Sequence, residues 1–372
     1  MDITQKLSLL GGLTPEQFMR RHWHKKPLLI RQALPGLQPL LSRAELFELA
    51  GREDVESRLI ARGDQGWSLK RGPLTRRALP PLTRPGWTLL VQGVDLHQQA
   101  VHELLQQFRF VPDARVDDLM ISYATDTGGV GPHFDSYDVF LLQVQGRRRW
   151  RIGRLADPAL LPGMPLKILE NFVAEQEWVL EPGDMLYLPP RWAHDGVADG
   201  ECMTYSVGFR APSRAELARE VVVRMLEALD EDAVEVLYRD PDQPATTTPG
   251  ALPLGLNAFA RDAVADLLHD EDSFACALGE YLSEPKPQVW FEVGEGQDLS
   301  AGVRLDRRSR MMYDERHIFF NGESYRAAGR DARLMRTLAD TRSLDAKQVA
   351  QLSPDARALL EQWADDGWLH PL

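Results

Sequence analysis

The fold class this sequence predicts is a mainly β unit over residues 1–211, followed by an acidic α-helical segment over 212–285 and an α+β unit over 286–372. Three observations predict it. Short runs rich in Val, Ile, Leu, Tyr and Trp, separated by Gly or Pro turns, crowd the first part, and many such strands at close spacing argue for a sandwich or barrel. Acidic residues gather in the middle part on helical patterns. Beyond the Pro-rich break SEPKPQ, strand-like runs alternate with two helical ones. A chain of 372 residues is roughly twice the usual single-domain length, so each part can bury its own core.

The first part opens with a helix, because Thr14 can act as N-cap, Pro15 suits the first helical position and Gln17 completes a capping box. PLLIRQ then reads as a strand. WTLLVQGV, LMISYAT, YDVFLLQVQ, RRWRIG, EWVLE, DMLYLPP and CMTYSVGF follow as further strands. There is no internal repeat and no low-complexity tract.

Residues 212–285 hold 16 Asp or Glu against 5 Arg and no Lys, a balance of −11 within a net charge of −12. In SRAELAREVVVRMLEALDEDAVEVL, Leu217, Val221, Met225 and Leu229 recur at helical spacing, with Ser213 as N-cap and Glu216 as its capping-box partner. A second helical pattern spans LNAFARDAVADLLHDEDSFACALGEYL. Such acidity fits a solvated helix face whose apolar stripe packs or dimerises, and it also fits a docking surface for a basic substrate.

In the last part VWFEV, VRLDRRSRMMYD and HIFFNGESY are strand candidates, with Asn321-Gly322 as a hairpin turn. ARLMRTLAD and SPDARALLEQWADDGW are the helices. Strands and helices in so short a segment have the make-up of a winged-helix module. From Lys286 to the end there are 13 basic and 14 acidic residues, whereas a DNA-reading wing is more basic. A protein-contacting or structural role is favoured.

Composition narrows the function. The chain is 44% hydrophobic and 26% charged, in the range of soluble globular proteins. No run approaches the roughly 18 apolar residues that span a bilayer, and MDITQKLSLLGGLTPEQ has neither a basic leader nor a small-residue cleavage site, so export is not expected. Two cysteines, Cys202 and Cys276, are too few for a disulfide framework and point to a reducing, cytoplasmic setting. The net negative charge argues against nucleic acid as partner and suits a basic protein such as a ribosomal protein or histone tail.

The chemistry-bearing residues lie in the first part. In GPHFDSYDVF, His133 and Asp135 are two residues apart where the chain leads into a strand, so both face one side, and Tyr137 shares their parity. In PGDMLYLPPRWAHDG, Pro182-Gly183 turns the chain into a strand that is expected to end at His194. Two histidines and one carboxylate bind Fe(II) while leaving three adjacent positions open, room for a bidentate 2-oxo acid and for O2. After the turn that follows YDVFLLQVQ comes GRRRWRIG, where alternation puts Arg147, Arg149 and Arg151 on one face and Arg148, Trp150 and Ile152 on the other. Arg148 therefore stands on the apolar face. A buried guanidinium is costly unless an anion meets it; the distal carboxylate of 2-oxoglutarate is one such anion, an inward Asp or Glu the other.

The segments GPHFDSYDVFLLQVQGRRRW, EPGDMLYLPPRWAH and MTYSVGFRAP resemble the JmjC-type cupin oxygenases, specifically the bacterial ribosomal oxygenases that hydroxylate an arginine of the sixteenth large-subunit ribosomal protein. The resemblance runs over nearly the whole chain. It implies a double-stranded β-helix catalytic domain over 1–211, an acidic helical dimerisation region over 212–285 and a C-terminal winged-helix domain over 286–372, assembled as a homodimer. It also implies Fe(II) held by His133, Asp135 and His194, and 2-oxoglutarate anchored by Arg148, fifteen positions past the first ligand, where relatives often carry lysine. Ser122 is implied as a further cosubstrate contact; Tyr137, which by parity faces the same cavity, is a candidate substrate contact. One departure concerns the cupin pattern G-x5-P-x-G-x2-H: Gly183, Pro189 and His194 fit, but Arg191 stands at the second glycine, which puts the local loop shape in question.

The expected reaction is hydroxylation of a protein side chain with O2 and 2-oxoglutarate, the protein supplying geometry and water exclusion. A JmjC-type demethylase uses the same ligands, and a non-enzymatic cupin sensor with a DNA-binding winged helix is the reading from another class. His22 and His24 in RRHWHKKP have no third ligand nearby and read as surface or packing residues. Cys202 reads as a small buried hydrophobe, and Trp192 as wall packing more than substrate stacking.

Overall fold

The structure, a computed structural model, describes residues 2–63, 66–229, 236–294 and 296–372. The chain divides into two compact units, Met1–Ala211 with Pro287–Trp290, and Pro212–Lys286 with Phe291–Leu372.

The first unit begins with α1 (Pro15–Arg21), whose Thr14 and Gln17 form the expected reciprocal capping box. β1 (Leu28–Ile30) and α2 (Arg43–Leu49), itself capped by a Ser42–Glu45 box, follow. β2 (Ser57–Gly63) and β3 (Gly66–Arg71) make a hairpin that the strand-like runs did not include. Next come β4 (Trp87–Val91), α3 (Gln99–Gln106), β5 (Val116–Ala124), β6 (Val139–Arg154), β7 (Gln176–Leu180), β8 (Met185–Leu188) and β9 (Trp192–Phe209). All nine strands belong to one antiparallel sheet in the order β1-β8-β6-β9-β5-β4-β2-β3, with β7 on β6.

The long strands β6 and β9 organise the site. The first part of β6 (139–142) lies between β8 and the far end of β9, and its last part (148–152) lies between β7 and the start of β9. Two sequence expectations differ from the structure, the turn after YDVFLLQVQ and the end of the strand that follows Pro182-Gly183. YDVFLLQVQ and RRWRIG are not separated by a turn: Gly146, in the left-handed region at φ 64°, forms part of a bulge inside one continuous strand. CMTYSVGF is likewise the second half of β9. The strand after Pro182-Gly183 ends at Leu188, not at His194, because two prolines without N–H groups and a left-handed Arg191 turn the chain before β9 begins.

The core of this unit is aromatic. Phe18 meets Tyr187 and Phe140 with ring centroids 4.9 and 5.4 Å apart, and Phe140 meets Tyr187 at 4.9 Å. All three are fully buried, so truncating Phe18 to alanine is expected to cost about 3–5 kcal/mol.

In the second unit α4 (Arg214–Glu227) carries the Ser213–Glu216 capping box and buries Val221 and Met225. Leu229, expected on the same stripe, lies past the helix end and is exposed; Asp230–Glu235 of that pattern lie outside the described residues. The second helical pattern is two helices, α5 (Leu254–His269) and α6 (Glu271–Ser283), because Asp270 breaks the run and its carboxylate caps the N–H groups of Asp272 and Ser273. Val221, Met225 and Ala277 pack α4 on α6.

The remainder comprises β10 (Gly302–Leu305), β11 (Met311–Tyr313), β12 (His317–Phe320), β13 (Glu323–Arg326), α7 (Gly329–Thr341), β14 (Ser343–Asp345), α8 (Ala346–Ala350), α9 (Pro354–Asp365) and β15 (Leu369–Pro371). These strands form two three-stranded sheets, β14-β10-β15 and β11-β12-β13. Asn321 and Gly322, at φ 50° and 92°, make the expected two-residue turn between β12 and β13. VRLDRRSRMMYD is split between the two sheets, and VWFEV is not a strand. Its composition favours strand, but Val293 is left 80% exposed, and β-propensity expresses itself only against packed neighbours. Phe320, Leu338, Leu344, Leu360 and Trp363 are fully buried and hold helices to sheets.

Candidate active site

His133, just before β6, and His194, near the start of β9, form an isolated antiparallel bridge in which each backbone N–H donates to the other's carbonyl, at 3.0 and 2.8 Å. The two imidazoles are thereby fixed side by side, ring centroids 4.2 Å apart. Asp135 approaches from two residues on, its Oδ2 3.7 Å from His194 Nε2. One potential ligand atom from each of His133, Asp135 and His194 lies within 4.8 Å of the others. The HxD motif and the distant histidine are brought together as the sequence predicted.

The hydrogen bonds around the histidines decide which nitrogen is available. His133 Nδ1 lies 2.9 Å from the Gly131 carbonyl and His194 Nδ1 3.0 Å from the Trp192 carbonyl. A carbonyl only accepts, so each Nδ1 carries the proton and each Nε2 presents a lone pair. His194 is 3% exposed; its burial and the neighbouring His133 push its pKa down to about 4, which keeps the ring neutral. Two imidazoles and a carboxylate match the donor set of a non-haem Fe(II) facial site. Asp135 is held from behind, its carbonyl accepting from the Arg191 N–H at 2.8 Å. Arg191 adopts φ 63°, so the backbone conformation that a glycine would serve is kept despite the arginine.

Strand alternation sorts the four arginines as expected. Arg147, Arg149 and Arg151 form cross-strand ion pairs with Asp199, Glu177 and Asp195. Arg148, Trp150 and Ile152 point inward, at 3%, 5% and 0% exposure. Arg148 Nη1 donates to Ser122 Oγ at 3.2 Å and Nη2 to the Gly196 carbonyl at 3.1 Å, while Nε has no partner. Among the described residues no carboxylate forms an ion pair with it. Burial pulls its pKa down, offset only in part by Cys202 and Asp195. This is a buried cation whose protein partners are all neutral, the electrostatic condition for binding an anion.

Ser122 enters from β5 and also donates to the Thr204 carbonyl at 3.3 Å. Tyr137 lies on the loop between Asp135 and β6, 38% exposed. Burial of its phenol, then the Asp135 carboxylate, push its pKa up. Cys202 is fully buried with Ala124 and Ala198. Trp192 is half-buried against an apolar cluster and lies under Arg154.

Sequence reasoning missed two features. A Cβ on Gly196 would sit 2.6 Å from the Trp150 ring and 2.9 Å from Arg148 Nε, so only glycine leaves the guanidinium its place. Its signal was legible: Gly196 is two residues past His194 in a strand and shares its face. The second is Asp138, which is fully buried and accepts from the Tyr187 hydroxyl, while His24 Nε2 lies 2.9 Å from its other oxygen. This pairing ties the end of the HxD loop to the N-terminal segment. His22 stacks on Phe18 instead.

Residues 103–217 match the JmjC domain model and residues 266–370 the ROXA-like winged helix. The chain is 36% identical over 274 residues to the Ribosomal protein uL16 3-hydroxylase of Escherichia coli K12, covering 73% of this chain and 72% of that one. It is 29% identical to the Probable ribosomal oxygenase of Haemophilus influenzae across 96% of both chains. The structure of YcfD, a ribosomal oxygenase from Escherichia coli in complex with cobalt and 2-oxoglutarate, superposes with a TM-score of 0.81 at 30% identity, covering 96% of this chain and 98% of that one. A cupin-type β core, a helical region and a winged helix are thus shared in sequence and in fold, and the chain belongs to the JmjC-domain ribosomal oxygenases, a family of 2-oxoglutarate-dependent dioxygenases.

Proposed function

We propose that this chain hydroxylates carbon 3 of an arginine in ribosomal protein uL16, with Fe(II) held by His133, Asp135 and His194 and 2-oxoglutarate anchored by Arg148. The observation that carries the reading is the Arg148 guanidinium, buried in the sheet with only neutral partners. The similar Escherichia coli enzyme is a uL16 3-hydroxylase, and its fold is recorded with cobalt and 2-oxoglutarate.

When bound, the iron and 2-oxoglutarate supply the activation of O2 for attack on a C–H bond. The chain supplies the rest. His133 and His194 offer Nε2 lone pairs because backbone carbonyls hold their Nδ1 protons, and Asp135 brings the single negative charge. Arg148, steadied by Ser122 and given room by Gly196, orients the distal carboxylate of the cosubstrate. Trp150 and Ile152 keep water from that end. Tyr137, at the exposed side of the triad, contacts the incoming protein.

The reading extends to the whole chain. A net charge of −12 suits a basic ribosomal protein. The three parts 1–211, 212–285 and 286–372 act as catalytic, dimerisation and winged-helix domains, and the exposed Val223, Leu226, Val264 and Leu268 on α4 and α5 suit a homodimer interface. Among the described residues no helix is long and apolar enough to cross a membrane; a cytoplasmic site of action follows from the proposed ribosomal substrate. The test is mass spectrometry of uL16 after incubation with iron-loaded protein, 2-oxoglutarate and isotope-labelled O2. One labelled oxygen on one arginine is expected; loss of CH2 from a methylated lysine would favour a demethylase instead, and unmodified substrate would refute both.

A further inference from the structure

A second ligand cluster lies in the other unit, on residues the oxygenase chemistry does not use. Asp272 and Cys276 are one turn apart on α6 and share a face. His317 opens β12, against which α6 packs so closely that a Cβ on Gly279 would sit 2.3 Å from the Phe319 ring. One ligand atom each from Asp272, Cys276 and His317 lies within 4.8 Å of the others.

The state of His317 points to a ligand. The residue is 2% exposed, and its Nδ1 lies 3.1 Å from Asp314 Oδ2. The Asp314 carboxylate accepts from Nδ1 and so fixes the ring with Nε2 turned toward Asp272. That Nε2 is buried, makes no hydrogen bond, and has Asp272 Oδ1 at 3.4 Å. A carboxylate that holds the far nitrogen of a buried imidazole is the outer-shell arrangement found behind metal-bound histidines. Asp272 is oriented in the same manner: Arg326 pairs with its Oδ2, leaving Oδ1 toward His317, with Arg316 at 3.9 Å. Cys276 is only half-buried, which leaves an entry path.

We infer that Asp272, Cys276 and His317 form a divalent cation site of the zinc class, fastening α6 to the β11–β12 turn. One sulfur, one nitrogen and one oxygen donor suit a borderline-soft ion of tetrahedral preference. Three protein ligands leave the fourth position to water, so the ion exchanges more readily than one in a closed four-ligand site.

Co(II) titration of the metal-free 372-residue chain tests this, because a thiolate ligand gives a near-ultraviolet charge-transfer band that the His133–Asp135–His194 set, lacking sulfur, does not. Two equivalents and that band are expected for the unaltered chain. Cys276→Ser should lose the band and one equivalent while keeping the other; Asp272→Asn should keep its fold by circular dichroism and also lose the second equivalent. Asp314→Asn should weaken the band-forming step by about 10- to 100-fold. A single equivalent with no band in the unaltered protein would overturn the assignment and leave the cluster an ion-pair network, and so would a band that survives Cys276→Ser.

Discussion

Arg148 and Ser122, on strands flanking β9, are joined by a hydrogen bond of 3.2 Å from Nη1 to Oγ. The hydroxyl donates its own hydrogen bond to the Thr204 carbonyl, so its lone pairs face the guanidinium. Ser122→Ala removes this acceptor inside the sheet, and a buried donor left without a partner costs about 1–2 kcal/mol. The KM for 2-oxoglutarate should rise roughly 10-fold with iron stoichiometry unchanged, measured by succinate release.

Gly196→Ala places a methyl group against Trp150 and Arg148 Nε. Overpacking of this kind costs about 1–3 kcal/mol, and here it displaces the cosubstrate anchor. Turnover should fall sharply, with loss of 2-oxoglutarate affinity preceding loss of metal. Isothermal titration of metal-loaded protein separates the two, and unchanged 2-oxoglutarate binding would refute the claim.

Arg191 occupies a left-handed conformation at φ 63°, which costs a non-glycine residue about 1–2 kcal/mol. Arg191→Gly relieves that strain, offset by about 1 kcal/mol or less of added chain entropy. The thermal midpoint should therefore rise by up to a few degrees while metal affinity stays unchanged. A fall in the midpoint would show that the side chain makes contacts worth more than the strain.

In the second unit Asp306 is 4% exposed. Burial would raise its pKa, but hydrogen bonds from Arg308 and His370 outweigh this and hold its carboxyl well below the usual value of 3.8. The folded pKa lies below the unfolded one, so this contribution to stability is present above pH 4 and is lost as pH falls through and below that value. Asp306→Asn should destabilise the unit at neutral pH by about 2–3 kcal/mol and flatten its acid-unfolding profile. An unaltered profile would show that the pairing contributes nothing.

What was legible in the sequence was local or periodic. The Thr14–Gln17 and Ser213–Glu216 boxes need only neighbours three residues apart, and Arg148 was placed inward by alternation alone. What was not legible depended on distant partners. Gly146 carries the local signal of a turn, yet β7, β8 and β9 on either side make it a bulge. VWFEV has strand composition but pairs with no strand among the described residues. The match of His24 to Asp138 links residues 114 apart, and no spacing rule connects them. That no carboxylate among the described residues forms an ion pair with Arg148, which separates an anion anchor from a structural ion pair, is likewise a property of packing and not of sequence.

The most direct measurement is the dissociation constant of 2-oxoglutarate for metal-loaded, oxygen-free protein, in the unaltered chain and in Arg148→Gln and Arg148→Lys. Loss of a buried charge partner costs about 2–5 kcal/mol, so Arg148→Gln should bind on the order of 100-fold more weakly with the metal still at one equivalent in the His133–Asp135–His194 site, while Arg148→Lys keeps most of the affinity. Tight 2-oxoglutarate binding by Arg148→Gln would contradict the account, because the cosubstrate would then be anchored elsewhere.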